Sequence, residues 1–337
     1  MTKLASPVLK TVPLRMHWPT LDPFLFCAHH RDAYPAGDEK MGVTVPLTGR
    51  NVGSDFSGLN GFSMYHGDHV PGFPQHPHRG FETITLARSG YIDHSDSMGA
   101  TARFGNGDLQ WMTAGKGIVH AEMFPLVHQD QDNPAELFQI WLNLPAASKM
   151  VEPYFSMFWS DEIPRLKAPG FELIQYVGPL EGQAPAPPPD SWASNPQADI
   201  VVWRGLMEPG AKWTLPAGPG GVHRVLYFYQ GDTLRVADGV LPVQHGAQLD
   251  PTQSVELEAG AEPVEWVLLQ GRPIGEPVVQ HGPFVMNSRL EIQQTMMEYR
   301  QTRFGGWPWD RDDPVHPREQ GRFAIHADGR RETPKVG

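Results

Sequence analysis

Apolar and polar residues alternate in short runs along most of the chain, and Gly, Pro, Asn or Ser interrupt them at roughly ten-residue intervals. Short strands separated by such turns are typical of a β-sandwich or barrel. In the first half the pattern predicts strands at 82–92 (with a turn at Ser89-Gly90), 101–104, 109–112 and 137–144, after an apolar patch at 23–27. The last of these runs is almost continuously apolar, as in a buried closing strand.

A second β-rich block runs from 199 to 279 and includes strand-like runs at 222–229, 231–236 and 265–271. It repeats the order of parts seen in the first block, and a stiff Pro-rich segment at 182–190 separates the two. We therefore expect two β-domains. The predicted division is an N-terminal domain at 1–150, a connecting segment at 151–198, a C-terminal domain at 199–285 and a helix with an extension at 286–337.

One helix is predicted near the C-terminus. Ser288 and Glu291 form a capping-box pattern, and Gly305-Gly306 would end the run. Residues near helical spacing are Leu290, Ile292, Met296 and Tyr299. The stretch 310–337 is charged and interrupted by Pro and Gly, so we expect a surface extension that is partly disordered.

Composition restricts the functional classes. At 337 residues and 40% apolar content, the chain can bury a core in each of two domains. A formal net charge of -11 argues against direct nucleic-acid binding, which needs clustered Lys and Arg. Cys27 is the single cysteine, which fits a reducing compartment, and no apolar run is long enough to span a membrane. We expect a cytoplasmic protein.

Two short pairs of metal-ligand residue types lie in strand-like sequence. His76 and His78 precede Glu82, and His120 precedes Glu122 after a Gly-Lys-Gly turn. Because side chains alternate faces on a strand, the first three would share one face and the last two another. Three imidazoles and a carboxylate would then converge on one divalent metal ion.

Other histidines are interpreted as structural. Adjacent His29 and His30 would point to opposite faces of a strand, so we interpret them as polar loop residues. His223 on an apolar strand is expected to be a hydrogen-bonded core or rim residue, so no metal is expected in the second half. A further cluster lies in a loop broken by Gly and Pro that leads to the site: His66, Asp68 and His69.

The stretches 76–83 and 107–123 resemble the signature of the pirin family within the cupin superfamily, and 149–153 and 280–287 are also similar to pirins. The likeness extends from about 20 to 305. It implies two cupin β-barrels packed face to face, with one iron ion, Fe(II) or another divalent metal, in the N-terminal barrel. The implied ligands are His76, His78, His120 and Glu122, while Glu82 would lie behind the ligands or pack within its strand.

The resemblance also implies an activity of the quercetin 2,3-dioxygenase type, in which O2 opens the heterocyclic ring of a flavonol and carbon monoxide is lost. Glu122 would ligate the metal and is the candidate general base. Trp111 and Met112 are candidates either for stacking on the substrate or for core packing. The alternative is a non-enzymatic, iron-dependent regulator that acts as a transcriptional cofactor or binds metabolic enzymes, for which an acidic surface suits protein partners.

Overall fold

The computed structural model describes residues 6–335, and it confirms an all-β chain with one α-helix in that range. The first twelve strands are β1 Val8–Pro13, β2 Phe24–Tyr34, β3 Gly72–His78, β4 Phe81–Ser89, β5 Tyr91–Asp96, β6 Thr101–Gly105, β7 Leu109–Thr113, β8 Ile118–Met123, β9 Asn133–Asn143, β10 Tyr154–Phe158, β11 Arg165–Ala168 and β12 Phe171–Val177. The runs predicted as strands in the first half correspond to these elements. The run 82–92 divides at the predicted turn into β4 and β5, 101–104 lies in β6, 109–112 lies in β7, and 137–144 lies in β9 except for its last residue.

The second half contains the remaining strands and the helix. They are β13 Val201–Met207, β14 Lys212–Leu215, β15 His223–Gln230, β16 Thr233–Val236, β17 Gly239–Pro242, β18 His245–Leu249, β19 Val255–Ala259, β20 Val264–Gly271, β21 Val279–His281, β22 Phe284–Met286, α1 Arg289–Thr302, β23 Phe323–Ile325 and β24 Arg331–Glu332. Short 3-10 turns lie at Leu59–Gly61, Ala146–Ser148, Trp192–Ser194, Pro196–Ala198 and Arg303–Gly305. The Pro-rich segment 182–190 contains no strand or helix.

The chain forms two compact units, and each is a pair of sheets around its own core. One unit is built mainly from a five-stranded sheet (β10-β7-β4-β9-β2) and a six-stranded sheet (β24-β23-β6-β5-β8-β3). Its core takes buried residues from both sheets, such as Leu137 and Phe104. The other unit has a seven-stranded sheet (β1-β18-β15-β20-β13-β12-β11) and a four-stranded sheet (β14-β19-β16-β17), with a core that includes Trp266 and Leu257.

The two units are interleaved along the sequence. Contacts place Trp141–Asn143, Glu162–Gly275 and the described part of Met1–Ala28 in one unit, and the remaining described residues in the other. Strand β1 pairs with β18, with Val12 opposite Gly246, so the first strand completes the later sheet. The domain boundaries expected from the sequence are continuous ranges and stay a prediction.

The expectation of a partly disordered extension at 310–337 is wrong for its described part. Strand β23 pairs with β6 in the six-stranded sheet, and Phe323 and Ala324 are buried there. Arg103, itself buried, donates to the carbonyls of Pro317 and Gln320, both at 2.9 Å. Buried backbone and guanidinium groups need such partners. The charged residues that suggested disorder in this extension therefore flank an ordered strand, β23.

The predicted helix is confirmed. Ser288 caps α1, since its hydroxyl accepts from the backbone N–H of Glu291 at 3.3 Å. The helix ends at Thr302, earlier than the predicted Gly305, because Arg303 adopts the left-handed conformation with φ 52°. Leu290 does not join the buried face that holds Ile292, and 62% of its surface is exposed.

None of the helices in residues 6–335 has the length and apolar character needed to cross a membrane.

Candidate metal centre

Three of the four predicted metal ligands converge. Strands β3 and β8 are antiparallel neighbours in which His76 lies opposite His120. The ring centroids are 4.4 Å apart for His76 and His120, 4.8 Å for His76 and His78, and 4.9 Å for His78 and His120. One ligand nitrogen from each lies within 4.8 Å of the other two. His78 and His120 are buried, whereas His76 is partly accessible.

The predicted shared face of His76, His78 and Glu82 is wrong for Glu82. Strand β3 ends at His78, and the chain turns at Gly80, which has φ +85° and would place a Cβ 2.0 Å from the carbonyl oxygen of Val285. Only glycine fits there. The turn starts a new strand in the other sheet, so the alternation does not carry across it. On β4, Glu82 accepts a hydrogen bond from the Thr113 hydroxyl at 2.7 Å.

Two cationic side chains hold this turn in place. Arg79 donates to the carbonyl of Lys116 at 2.6 Å and forms an ion pair with Glu298 of α1 at 2.8 Å. The Lys149 ammonium donates to the carbonyl of Gly80 at 2.7 Å, and burial lowers the pKa of Lys149 to about 8. These contacts connect the turn after His78 to Lys149, to the loop that carries Lys116 and to α1.

The donor set suits a divalent cation. Burial lowers the pKa of His76 to about 4 and places the pKa values of His78 and His120 well below the usual range. All three rings are therefore neutral near pH 7, the form that binds metals. Both ring nitrogens of His120 are buried and have no hydrogen-bond partner among the described residues. Such a group is costly unless something binds it, and a metal ion meets that need.

Glu122 lies on the same face of β8 as His120 but is not a member of the mutual group of three imidazoles. Its Oε1 accepts a hydrogen bond from the Thr85 hydroxyl at 2.9 Å, and burial raises the pKa of its carboxyl. The same Thr85 oxygen lies 2.8 Å from the side-chain amide oxygen of Gln139, so two strands of the five-stranded sheet position the hydroxyl that contacts Glu122. Its assignment as the fourth ligand stays a prediction.

His94 was missed by the sequence reasoning. It is fully buried on β5, opposite Glu122 in the strand register, and its ring lies 5.5 Å from that of His120. Its Nε2 is 3.2 Å from Oδ2 of Asp96. The spacing His94-x-Asp96 in an alternating strand is the signal that could have found it.

The other candidates have structural partners. His29 and His30 lie on β2 and not in a loop, which corrects that interpretation, and they do face opposite ways. His29 contacts Glu136 at 2.8 Å, and His30 contacts the Tyr65 hydroxyl at 2.9 Å. His223 lies 2.7 Å from the carbonyl of Asp22.

The remaining residues were predicted to lie in a loop or to contact substrate. His66 and His69 do lie in the predicted loop and contact the Gly53 carbonyl and Asp38, respectively. Trp111 and Met112 are fully buried, which favours core packing over substrate stacking.

A β-sandwich unit with a three-histidine cluster on adjacent strands defines a cupin-type protein with a candidate metal centre. The chain belongs to the pirin family. The family models described as "Pirin" and "Pirin C-terminal cupin domain" match residues 8–142 and 202–305.

Known proteins support this assignment. Human Pirin is 36% identical over 249 residues, which cover 72% of this chain and 81% of that protein. A Vibrio cholerae protein provisionally named as a quercetin 2,3-dioxygenase is 35% identical over 244 residues, covering 70% of this chain and 81% of its own length. The crystal structure of a quercetin 2,3-dioxygenase from Acinetobacter baumannii superposes with a TM-score of 0.69 at 25% identity, covering 90% of this chain and 99% of that one. The cupin fold predicted from the sequence is confirmed.

Proposed function

We propose that this protein is a mononuclear iron dioxygenase of the quercetin 2,3-dioxygenase type, which uses O2 to open a flavonol ring. The proposed cofactor is one Fe(II) ion, held by His76, His78, His120 and Glu122. The observation that carries this proposal is the three-imidazole cluster, in which both ring nitrogens of the buried His120 have no hydrogen-bond partner among the described residues. The structural likeness to the Acinetobacter enzyme adds support for the reaction class.

The ligand set fits that chemistry. Three neutral imidazoles and one carboxylate suit iron in six coordination and leave positions for substrate oxygens and O2. Iron in such a site supplies the redox chemistry that lets O2 react with a bound flavonol. The ring opens with loss of carbon monoxide, so both oxygen atoms of O2 end in the ring-opened ester. The protein holds the substrate, excludes water and manages the proton of the flavonol hydroxyl.

Glu122 is the proposed general base. Because burial raises the pKa of this carboxyl above its ordinary value, its carboxylate is a stronger base than an exposed one. The Thr85 hydroxyl donates to Oε1, and in this proposal the other carboxylate oxygen is the one that acts on the substrate. In this proposal the carboxylate takes the proton of the substrate hydroxyl as the flavonol oxygen approaches the site.

The test uses the full-length protein loaded with Fe(II) without air. Quercetin is added, air is admitted, and the flavonol absorbance and released carbon monoxide are followed. Loss of absorbance with one carbon monoxide per flavonol consumed, faster than with free Fe(II), is the expected result. Turnover no faster than with free Fe(II) would refute the enzymatic proposal.

His223→Ala serves as a matched control, since the imidazole of His223 contacts the Asp22 carbonyl and the residue belongs to the other unit. It should keep full activity, whereas His120→Ala should lose it. The regulatory alternative, in which the iron state controls protein partners, is not favoured by the relatives and structural neighbours that bear a dioxygenase name.

A further inference from the structure

The chain between β2 and β3 carries a group of aromatic rings that continues to the metal centre. Phe56 lies 5.2 Å from His66 and 6.4 Å from Phe73 between ring centroids. Phe73 is 5.7 Å from His66 and 6.2 Å from His76. We call Phe56, His66 and Phe73 the aromatic wall. Phe73, the ring of this wall that lies beside the metal centre, is therefore in contact range of the candidate ligand His76.

Tyr65 supports the wall from behind. Its ring stacks on Phe73 at 5.0 Å with an interplanar angle of 26°, and it meets Phe56 edge-on at 5.5 Å. Its hydroxyl donates to Oδ2 of Asp32 at 2.7 Å and lies 2.9 Å from Nδ1 of His30. Asp32 and His30 are two residues apart on β2 and so share a face. Two side chains of strand β2 therefore hold the Tyr65 hydroxyl in place.

The backbone at Tyr65 shows that the surroundings impose this position. Its φ is 56°, in the left-handed region that bulky residues rarely adopt and that costs about 1–3 kcal/mol. Such a conformation persists where tertiary contacts over-determine it, and functional sites are where it is concentrated. The hydroxyl contacts with β2 and the ring contact with Phe73 stabilise this backbone conformation of Tyr65.

The segment that carries Phe56 is also rigid. Asp55 and Tyr65 exchange backbone hydrogen bonds of 2.7 and 2.8 Å. The Asp55 carboxylate pairs with Arg50 at 2.7 Å with both side chains buried, and it accepts from the backbone N–H of Met64 at 3.0 Å. The wall is thus preorganised, which lowers the entropy lost when a ligand binds.

The exposure of the rings differs in a way that suits ligand binding. Phe56 is 39% exposed, His66 is exposed and Phe73 is partly exposed, whereas Tyr65 behind them is only 5% exposed. A wall of accessible rings beside a metal site fits a flat aromatic molecule that bears oxygen ligands at one edge, because rings stack and oxygens ligate.

We propose that the aromatic wall binds the flat ring system of a polyphenolic substrate while the oxygens of that substrate face the histidine cluster, and that Tyr65 is the positioning residue of the wall. This inference rests on the proposed function, since it names where the flavonol lies. The proposal assigns substrate stacking to residues that a ligand can reach, and not to the buried Trp111 and Met112.

The test is a binding titration with quercetin as the probe, without air, on the metal-free and the Fe(II)-loaded full-length protein. Phe56→Ala should raise the dissociation constant by about two- to tenfold, the range of one aromatic contact. Leu59→Ala is the matched control, because Leu59 lies in the same segment and is 41% exposed but carries no ring. It should bind within about twofold of wild type.

Tyr65→Phe keeps the ring and removes the hydroxyl contacts with Asp32 and His30. In steady-state assays of the loaded enzyme it should raise KM by about threefold with kcat unchanged, as expected when uniform binding is lost. The iron content of Phe56→Ala and Tyr65→Phe should equal that of wild type, which separates an effect on substrate from an effect on the metal.

Failures of the two proposals are distinguishable. If wild type turns quercetin over and Phe56→Ala binds it as tightly as Leu59→Ala does, the wall is refuted and the dioxygenase proposal stands. If wild type binds quercetin through Phe56 but shows no turnover, the wall is supported and the dioxygenase proposal falls. Absence of quercetin binding to both protein forms overturns both.

Discussion

His120 is the residue on which the metal centre depends most, because it is fully buried and neither of its ring nitrogens has a partner among the described residues. We predict that His120→Ala, His76→Ala and Glu122→Ala each weaken iron binding about tenfold or more and so lower the iron content, since loss of even an outer partner of a ligand costs about that much in metal affinity. Metal analysis after anaerobic loading measures it. His223→Ala should keep full iron content, and equal iron in His120→Ala and His223→Ala would reject the assignment.

The pH dependence of stability is a second prediction for single residues. His76 has a pKa of about 4 in the folded protein, below its ordinary value of 6.5, because it is desolvated. Between these values the unfolded chain binds a proton that the folded chain excludes, so the free energy of unfolding falls as the pH is lowered from 6.5 toward 4. Denaturation of metal-free His76→Asn should show a shallower fall than wild type over this range. An identical slope would contradict the role of His76 in this effect.

Strand parity predicted the three imidazoles, because His76 and His78 lie within one uninterrupted strand and His120 lies in another. It failed for Glu82, since Gly80 breaks the strand between His78 and Glu82. The sequence analysis also placed His29 and His30 in a loop, because the Pro and Gly residues of the first sixty positions concealed the length of β2. Alternation predicts side-chain direction only where the strand continues, and the sequence does not show where a strand bends into another sheet.

At the scale of single elements, strand β23 has the clearest consequence. Truncation after Pro308 removes Phe323 from the core and takes away the carbonyls that Arg103 contacts. We predict a loss of about 3 kcal/mol or more in the free energy of unfolding, the cost typical of deleting a buried aromatic side chain. Chemical denaturation measures it.

The matched control for this truncation is a chain that stops after Glu332 and keeps both terminal strands. It should lie within about 1 kcal/mol of wild type, since few contacts are lost. Equal stability of the two truncated chains would show that β23 contributes nothing.

Long-range pairings explain why some elements escaped prediction. Strand β1 pairs with β18 and β23 pairs with β6, and in each case more than two hundred residues of sequence separate the partners. Local alternation identifies a strand but not its neighbour, and three-residue strands such as β23 are too short to show alternation at all. The capping box of α1, by contrast, is local, and it was predicted correctly.

At the scale of the whole molecule, the three-imidazole group lies in one of the two compact units, and the residues described in the other unit form no such group. Metal binding should therefore raise the free energy of unfolding of the unit that contains the three histidines. A hundredfold excess over the dissociation constant should add about 2.7 kcal/mol to the stability of that unit. Calorimetry with and without a divalent metal measures the shift in the unfolding midpoint. The shift should vanish in His120→Ala and persist in His223→Ala, and a shift that survives in His120→Ala would place the metal elsewhere.

We propose above all that three imidazoles and one carboxylate from β3 and β8 bind a single ion. The most direct measurement is an anomalous-scattering map from crystals of the metal-loaded protein. One peak is expected about 2.0–2.2 Å from a nitrogen of each of His76, His78 and His120 and from an oxygen of Glu122. A peak that lacks the histidines, or none at this position in protein that contains one metal per chain, would contradict it.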